Sequence, residues 1–337
     1  MQVVLSLRVG GLERVVLDLV RNASEEFRFI VCCLEEPGAW GDEAPHVVGL
    51  GKKSGVDWRL FWKIARLARA EKVDVIHTHN SAAHLYGAIG GKLAGVKVLH
   101  TEHGKNLGQE ARAFRLNRWA GHFTDLTVAV SEKIGREARD QESVPADRLA
   151  VVANGICVDR FNSPRLTAGR RIGTVGRLVP EKNYPLLLRA VAAIPSAELV
   201  FIGDGPLRGA LECEAGPRVQ FLGQRADIAE LLAGFDVFVL SSSTEGMSIA
   251  LLEAMAAACP IVVTAVGGNT ELIQHEVTGL VVPPDDATAL RTAIERLLTD
   301  RVLANRLGTA AREVTRQRYS VAAMTQRYEE LWRRLAT

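Results

Sequence analysis

No stretch of this chain stays apolar for anything near the ~18 residues of a membrane-spanning helix. Its apolar opening at 3–7 runs into a glycine turn instead of a signal-peptide core. A cytoplasmic protein is expected, soluble or peripheral at the inner face of the membrane. Neither sign of charge is in surplus: 41 Lys and Arg stand against 39 Asp and Glu, which gives no case for a nucleic-acid partner. Five cysteines, at 32, 33, 157, 213 and 259, are odd in number and lack a C-x-x-C or paired-histidine spacing. They exclude a disulfide framework and a zinc ribbon, and are expected as reduced, packed thiols. Gly203-Asp204-Gly205 lacks the G-x-G-x-x-G spacing of a dinucleotide fingerprint. No Asp-x-Asp sits beside a strand end to hold a divalent cation, and Asp285-Asp286, after two prolines, reads as a helix cap. No metal and no cofactor are assigned. Heptads, short tandem repeats and low-complexity linkers are also missing.

What the chain does have is alternation. Short β-branched runs recur at 3–7, 29–34, 47–50, 73–77, 97–101 and 126–130, and again at 171–175, 199–202, 219–222, 237–240, 261–263 and 279–282. Helical stretches lie between them, the pattern of parallel sheets covered on both faces. At ~150 residues per domain, 337 residues make two. A turn-rich segment at 154–164 places the boundary near Ser163, and 317–336 reads as a terminal helix.

One stretch concentrates the chemistry. The buried-strand run 235–240 stops in a polar loop, Ser241 to Thr244, and Glu245-Gly246 turns the chain into a helix-forming run at 249–258. A helix N-terminus aimed at a strand's carboxyl end suits an anion, above all a phosphate. Glu245 and Glu253 would repel that phosphate, so they serve better as acceptors for sugar and ribose hydroxyls. The plainer alternative makes Glu245 the helix cap and Glu253 a solvated residue. In the first half, Gly10-Gly11 forms a turn between a strand and a helix, and 97–104 ends a strand in a histidine loop. His77 and His79 also end a strand, but H-x-H without a third ligand is weak ground for metal. Two basic, aromatic-bearing segments stand out at 52–72 and 112–119. Both fit an anionic membrane surface, and both fit ordinary surface helices.

Gly176-Arg177-Leu178 with Glu181-Lys182-Asn183, Gly203-Asp204-Gly205, the Glu245 to Glu253 spacing within EGxxxxxxEAM, Pro260 and Gly267-Gly268-Asn269-Thr270-Glu271-Leu272 occur in order. Together they resemble glycosyltransferase family 4, retaining enzymes that include bacterial exopolysaccharide-type sugar transferases. The resemblance implies an α/β GT-B fold: an acceptor-side Rossmann-like domain at 1–163 facing a nucleotide-sugar domain at 164–316 across a cleft, with a helix at 317–337 returning to the first. It implies metal-independent transfer of a sugar from a nucleoside diphosphate sugar to a hydroxyl acceptor, lipid-linked if the membrane reading holds, in polysaccharide or glycolipid assembly. Arg177 and Lys182 would hold the diphosphate. Glu245 would accept from sugar hydroxyls, and Glu253 from the ribose. Gly246, Met247, Ser248, Ile249 and Ala250 would line the phosphate end, with the last two presenting backbone N–H groups. Leu222 and Gln224 would meet the base, and Gly203, Gly205, Gly10 and Gly11 would allow close backbone approach. His103 matches the family's active-site histidine near the donor sugar. The rival readings are a nucleotide-sugar 2-epimerase of the same fold and a non-enzymatic sugar-binding protein.

Overall fold

The computed structural model describes residues 1–104, 118–165 and 169–337. The chain folds as two compact units, Met1–Gly155 with Val321–Thr337, and Ile156–Ser320. The divisions expected from the sequence lie at 163 and 316. Val158 and Phe161, ahead of the first of these, are buried in the second unit, and Arg312 donates to the Phe161 carbonyl. The helix expected from 317 begins at Val321; residues 317–318 end the preceding helix, Arg301–Arg318, and the break falls at Tyr319-Ser320.

The first unit is built on seven parallel strands: β1 (Gln2–Val4), β2 (Val31–Cys33), β3 (Val47–Gly49), β4 (Val75–His79), β5 (Lys97–Glu102), β6 (Leu126–Ala129) and β7 (Leu149–Val151). They lie in the order β3-β2-β1-β4-β5-β6-β7. β1 is shorter than its apolar run, because the chain leaves the sheet after Val4 while Leu7 stays buried and donates to the Pro37 carbonyl. Helix Arg59–Ala70 turns Leu60, Phe61, Ile64, Ala65 and Ala68 inward, the 3.6-residue period of an amphipathic helix. The terminal helix Val321–Ala336 packs on this unit. Trp332 meets Phe27 and Phe29 edge-on, and Tyr328 shares a 3.0 Å hydrogen bond with Thr101.

The second unit carries six parallel strands: β8 (Arg171–Val175), β9 (Glu198–Ile202), β10 (Val219–Phe221), β11 (Val237–Leu240), β12 (Ile261–Thr264) and β13 (Leu280–Val282). Their order is β10-β9-β8-β11-β12-β13. Leu187, Phe201, Val237, Val239, Val262, Leu290 and Ile294 meet in one core between the sheet and its helices. In each sheet the chain first runs one way and then returns to the middle. That creates a switch point between β1 and β4 in the first unit and between β8 and β11 in the second. Such points leave a crevice outside the carboxyl ends of the strands, where open α/β sheets bind ligands.

Candidate functional site

The residues of the second unit expected at the donor site gather at the carboxyl edge of its sheet. Arg177 and Lys182 follow β8, Gly203 and Gly205 follow β9, Leu222 and Gln224 follow β10, and Glu245 to Glu253 follow β11. Because β8 and β11 are neighbours, the loops after them meet at the switch point. Lys182 Nζ lies 2.6 Å from Glu245 Oε1, with the two side chains 17% and 10% exposed. Ser242 Oγ donates to the same Oε1 at 2.6 Å. Ser242 is fully buried, and the carboxylate is thus fixed by two donors on one oxygen. The loops are also tied through their backbones: Ser243 N–H donates to the Glu181 carbonyl, and Ser241 Oγ to that of Lys182. Arg177 is exposed.

The helix after this loop runs Ile249–Ala256, and its cap is Ser248, whose side-chain oxygen accepts from Leu251 N–H at 3.3 Å. That overturns the reading of Glu245 as a cap and gives Ser248 a local task. Leu252 N–H goes to the Ser248 carbonyl, so Ile249 and Ala250 occupy the first positions, whose N–H groups a helix cannot satisfy internally. Met247 is buried and Gly246 is held by Gly268 N–H, so this turn would meet a ligand through its backbone. Glu253, one turn into the helix, is half-buried.

The glycines of the second sheet also serve the packing of one loop on another. Gly203 has φ +128°, and a Cβ there would lie 2.1 Å from the Gly176 carbonyl oxygen. Gly267 has φ +54°, and a Cβ would lie 1.9 Å from the Glu245 carbonyl oxygen. Gly205 and Gly268 are likewise pressed against the backbones of Leu178 and Gly246. The close approach is therefore between neighbouring strand-end loops; it stacks the loop carrying Lys182 on 203–205, and the loop carrying Glu245 on 267–268. Gly10 is extended at φ −173° and caps the first helix, Gly11–Asn22; only the end of the Glu13 side chain stands where its Cβ would be.

In the first unit His103 follows β5 and is half-buried. Burial pushes its imidazole down to about 4, with Glu102 and His100 acting in opposite directions by smaller amounts, so it is neutral at pH 7. His103 Nε2 lies 3.2 Å from His79 Nδ1 at the end of β4. The other histidines are engaged in packing: the His84 and His100 rings stack at 3.7 Å, and His84 and His77 bond to Thr124 and Thr101. Among the described residues no three His, Cys, Asp or Glu side chains group to hold a metal ion.

Helix Arg59–Ala70 packs its apolar face inward as an ordinary surface helix does, and it also leaves Trp62, and Trp58 just before it, 64% and 69% exposed beside exposed Arg59, Lys63 and Arg66. Of the second basic segment, residues 112–117, with Arg112 and Arg115, lie outside the described residues; Arg118 and Trp119 are exposed. Sequence reasoning gave no role to Gln2 or His79, whose bond spans 77 residues, although the H-x-H strand end had marked His79; Ser242, whose partner Glu245 is three residues away, was marked only by the Ser241 to Thr244 polar run. No helix among the described residues is long and apolar enough to cross a membrane.

Comparison with known proteins matches residues 9–160 to the model of Glycosyltransferase Family 4 and residues 169–300 to that of Glycosyl transferases group 1. A lipopolysaccharide core biosynthesis glycosyltransferase of Rhizobium meliloti, LpsD, is 34% identical, with 96% of this chain and 95% of that protein covered. The Escherichia coli UDP-Gal:alpha-D-GlcNAc-diphosphoundecaprenol alpha-1,3-galactosyltransferase is 30% identical over 73% of this chain and 72% of its own. HepE of Anabaena, solved in complex with UDP and glucose, superposes with a TM-score of 0.86 at 22% identity, covering 98% of both chains.

Proposed function

The chain belongs to glycosyltransferase family 4 and has the GT-B fold, and from that premise we propose a metal-independent, retaining transfer of a sugar from a nucleoside diphosphate sugar to a hydroxyl acceptor. The observation that carries the reading is the Lys182–Glu245 pair set beside the N-terminus of helix Ile249–Ala256 at the switch point of the second sheet. A cation, a carboxylate and outward N–H groups at one strand edge match the three parts of a nucleotide sugar.

In the proposed reaction the bond between the sugar's anomeric carbon and the diphosphate oxygen breaks, and its electron pair leaves with the diphosphate. Lys182, Arg177 and the Ile249 and Ala250 N–H groups stabilise that growing charge more than they stabilise the ground state. The acceptor hydroxyl oxygen bonds to the anomeric carbon on the departing face, which retains configuration, and its proton passes to the departing diphosphate oxygen. Glu245 accepts from hydroxyls of the sugar and Glu253 from the ribose, while neutral His103 hydrogen-bonds the sugar. Leu222 and Gln224 border the base.

The relatives are named as transferases, which favours transfer over epimerisation or plain sugar binding. The E. coli relative's name specifies a diphosphoundecaprenol-linked acceptor, and exposed Trp58 and Trp62 beside basic residues suit a bilayer surface, so the proposed acceptor is lipid-linked. The test is turnover of UDP-, GDP- and ADP-sugars in excess EDTA, read as nucleotide release with and without undecaprenyl-diphosphate-linked sugars. Turnover with one donor that survives EDTA and rises with acceptor is expected. Complete loss in EDTA, restored by Mg²⁺ or Mn²⁺, overturns the metal-independent mechanism.

A further inference from the structure

In the first unit three side chains, from the start of β1, the end of β4 and the residue after β5, are linked by two hydrogen bonds. Gln2 on β1 and His79 at the end of β4 are both fully buried, at 1% and 0% exposed. His79 Nε2 lies 2.8 Å from Gln2 Oε1, and His79 Nδ1 lies 3.2 Å from His103 Nε2. The His77 ring, anchored through Nε2 to Thr101, packs on the His79 ring with centroids 4.0 Å apart and holds its plane.

The order of donors and acceptors follows from the placement of the Gln2 amide with its oxygen toward the ring. An amide oxygen only accepts, so His79 Nε2 carries the proton in that arrangement. A neutral imidazole with Nε2–H has a lone pair on Nδ1, so His79 Nδ1 accepts, and His103 must donate from Nε2. His103 Nδ1 is then left bearing a lone pair. We propose that His79, oriented by Gln2, is a positioning residue that fixes His103 as the Nε2–H tautomer, so that His103 acts on the donor sugar by accepting a hydroxyl hydrogen and not by donating one. This rests on the assignment of His103 to the donor sugar.

A hydroxyl in place of His79 would leave the tautomer open, and an ammonium, which only donates, would impose the opposite one. An imidazole with a defined Nδ1 acceptor does neither. The arrangement also explains why an H-x-H pair ends β4 without a metal ligand set: His77 supports the ring, and His79 sets the proton.

The test has two independent arms. In the free protein, ¹⁵N-histidine labelling and long-range ¹H–¹⁵N correlation identify which ring nitrogen of His103 is protonated. The expected result is Nε2–H in the wild type and loss of that preference in His79→Gln. Nδ1–H in the wild type overturns the proposal whether or not the enzyme turns over. The second arm compares His79→Asn, whose amide oxygen falls near the place of Nδ1, with His79→Gln, whose amide reaches the place of Nε2, both checked for folding by thermal melting. With whichever of UDP-glucose, GDP-mannose or ADP-glucose the wild type uses, kcat should fall roughly tenfold or more in His79→Gln and recover largely in His79→Asn, the scale for losing a partner that orients a functional histidine. Equal rates in both folded variants overturn it. His103→Ala separates the underlying assignment: if that variant keeps wild-type kcat, the sugar role of His103 falls instead.

Discussion

Replacing Lys182 with Met tests stability and chemistry in one variant. Lys182 and Glu245 are bonded at 2.6 Å with little exposure, and Glu245 keeps a second donor in Ser242. Removing one partner of a fully buried pair costs roughly 3–5 kcal/mol, because the survivor is left charged in a poor solvent. Here both groups retain some water contact and Ser242 remains, so about 2 kcal/mol is expected. For a unit of this size that lowers its melting temperature by roughly 4–8 °C. Turnover should fall by more than stability explains, by roughly 10²-fold in kcat, the scale for deleting one preorganised charge stabiliser. Arg177→Ala should lose a similar factor in kcat.

The pair also predicts an asymmetry. Lys182 meets a diphosphate with its charge already shared with Glu245. Glu245→Gln removes the competing charge but keeps the shape, so a bare nucleoside diphosphate should bind more tightly, about tenfold or 1.4 kcal/mol, while kcat for the nucleotide sugar falls. Calorimetric titration with UDP, GDP and ADP gives the first number and nucleotide release the second. Unchanged kcat in both Lys182→Met and Arg177→Ala, together with unchanged nucleotide affinity in Glu245→Gln, would refute the phosphate assignment.

Gly267→Ala should destabilise the second unit by about 2–4 kcal/mol, since it forces a positive φ on a residue with a Cβ and drives that atom into the Glu245 carbonyl; urea unfolding at the wild-type stability measured by the same probe would show the loop contact is dispensable. Acid should weaken the first unit early. Burial depresses His77, His79 and His84 well below 6.5 and His103 to about 4, so between the unfolded and folded values the unfolded chain binds more protons. The contribution is whole above pH ~6.5 and drains away as pH falls, roughly 1 kcal/mol per histidine by pH 5.5; urea midpoints equal at pH 7.0 and 5.5 would contradict it. Wild-type protein should sediment with anionic vesicles at low salt and be released by high salt, at about 1 kcal/mol per engaged Lys or Arg, and Trp58→Ser with Trp62→Ser should weaken it; protein left in the low-salt supernatant removes the membrane reading.

How much of this could be read from the chain depends on whether a feature is local. The strand–helix alternation is local, because β-branched runs and 3.6-residue periods are written in neighbouring residues, and both parallel sheets were legible. The β11 loop and helix were legible for the same reason, down to Ile249 and Ala250 at the open end. The Lys182–Glu245 bond joins residues 63 apart and the His79–Gln2 bond residues 77 apart. Each exists only because the strand order doubles back, placing β11 beside β8 and β4 beside β1. Periodicity is blind to that order. The glycines show the same limit: Gly-Asp-Gly and Gly-Gly announce tight backbone approach, but whether the visitor is a ligand or the next loop is decided by which strands are neighbours. In this sheet the visitor is the next loop. The loops bearing Lys182 and Glu245 are therefore held by backbone packing on one side and by their own ion pair on the other.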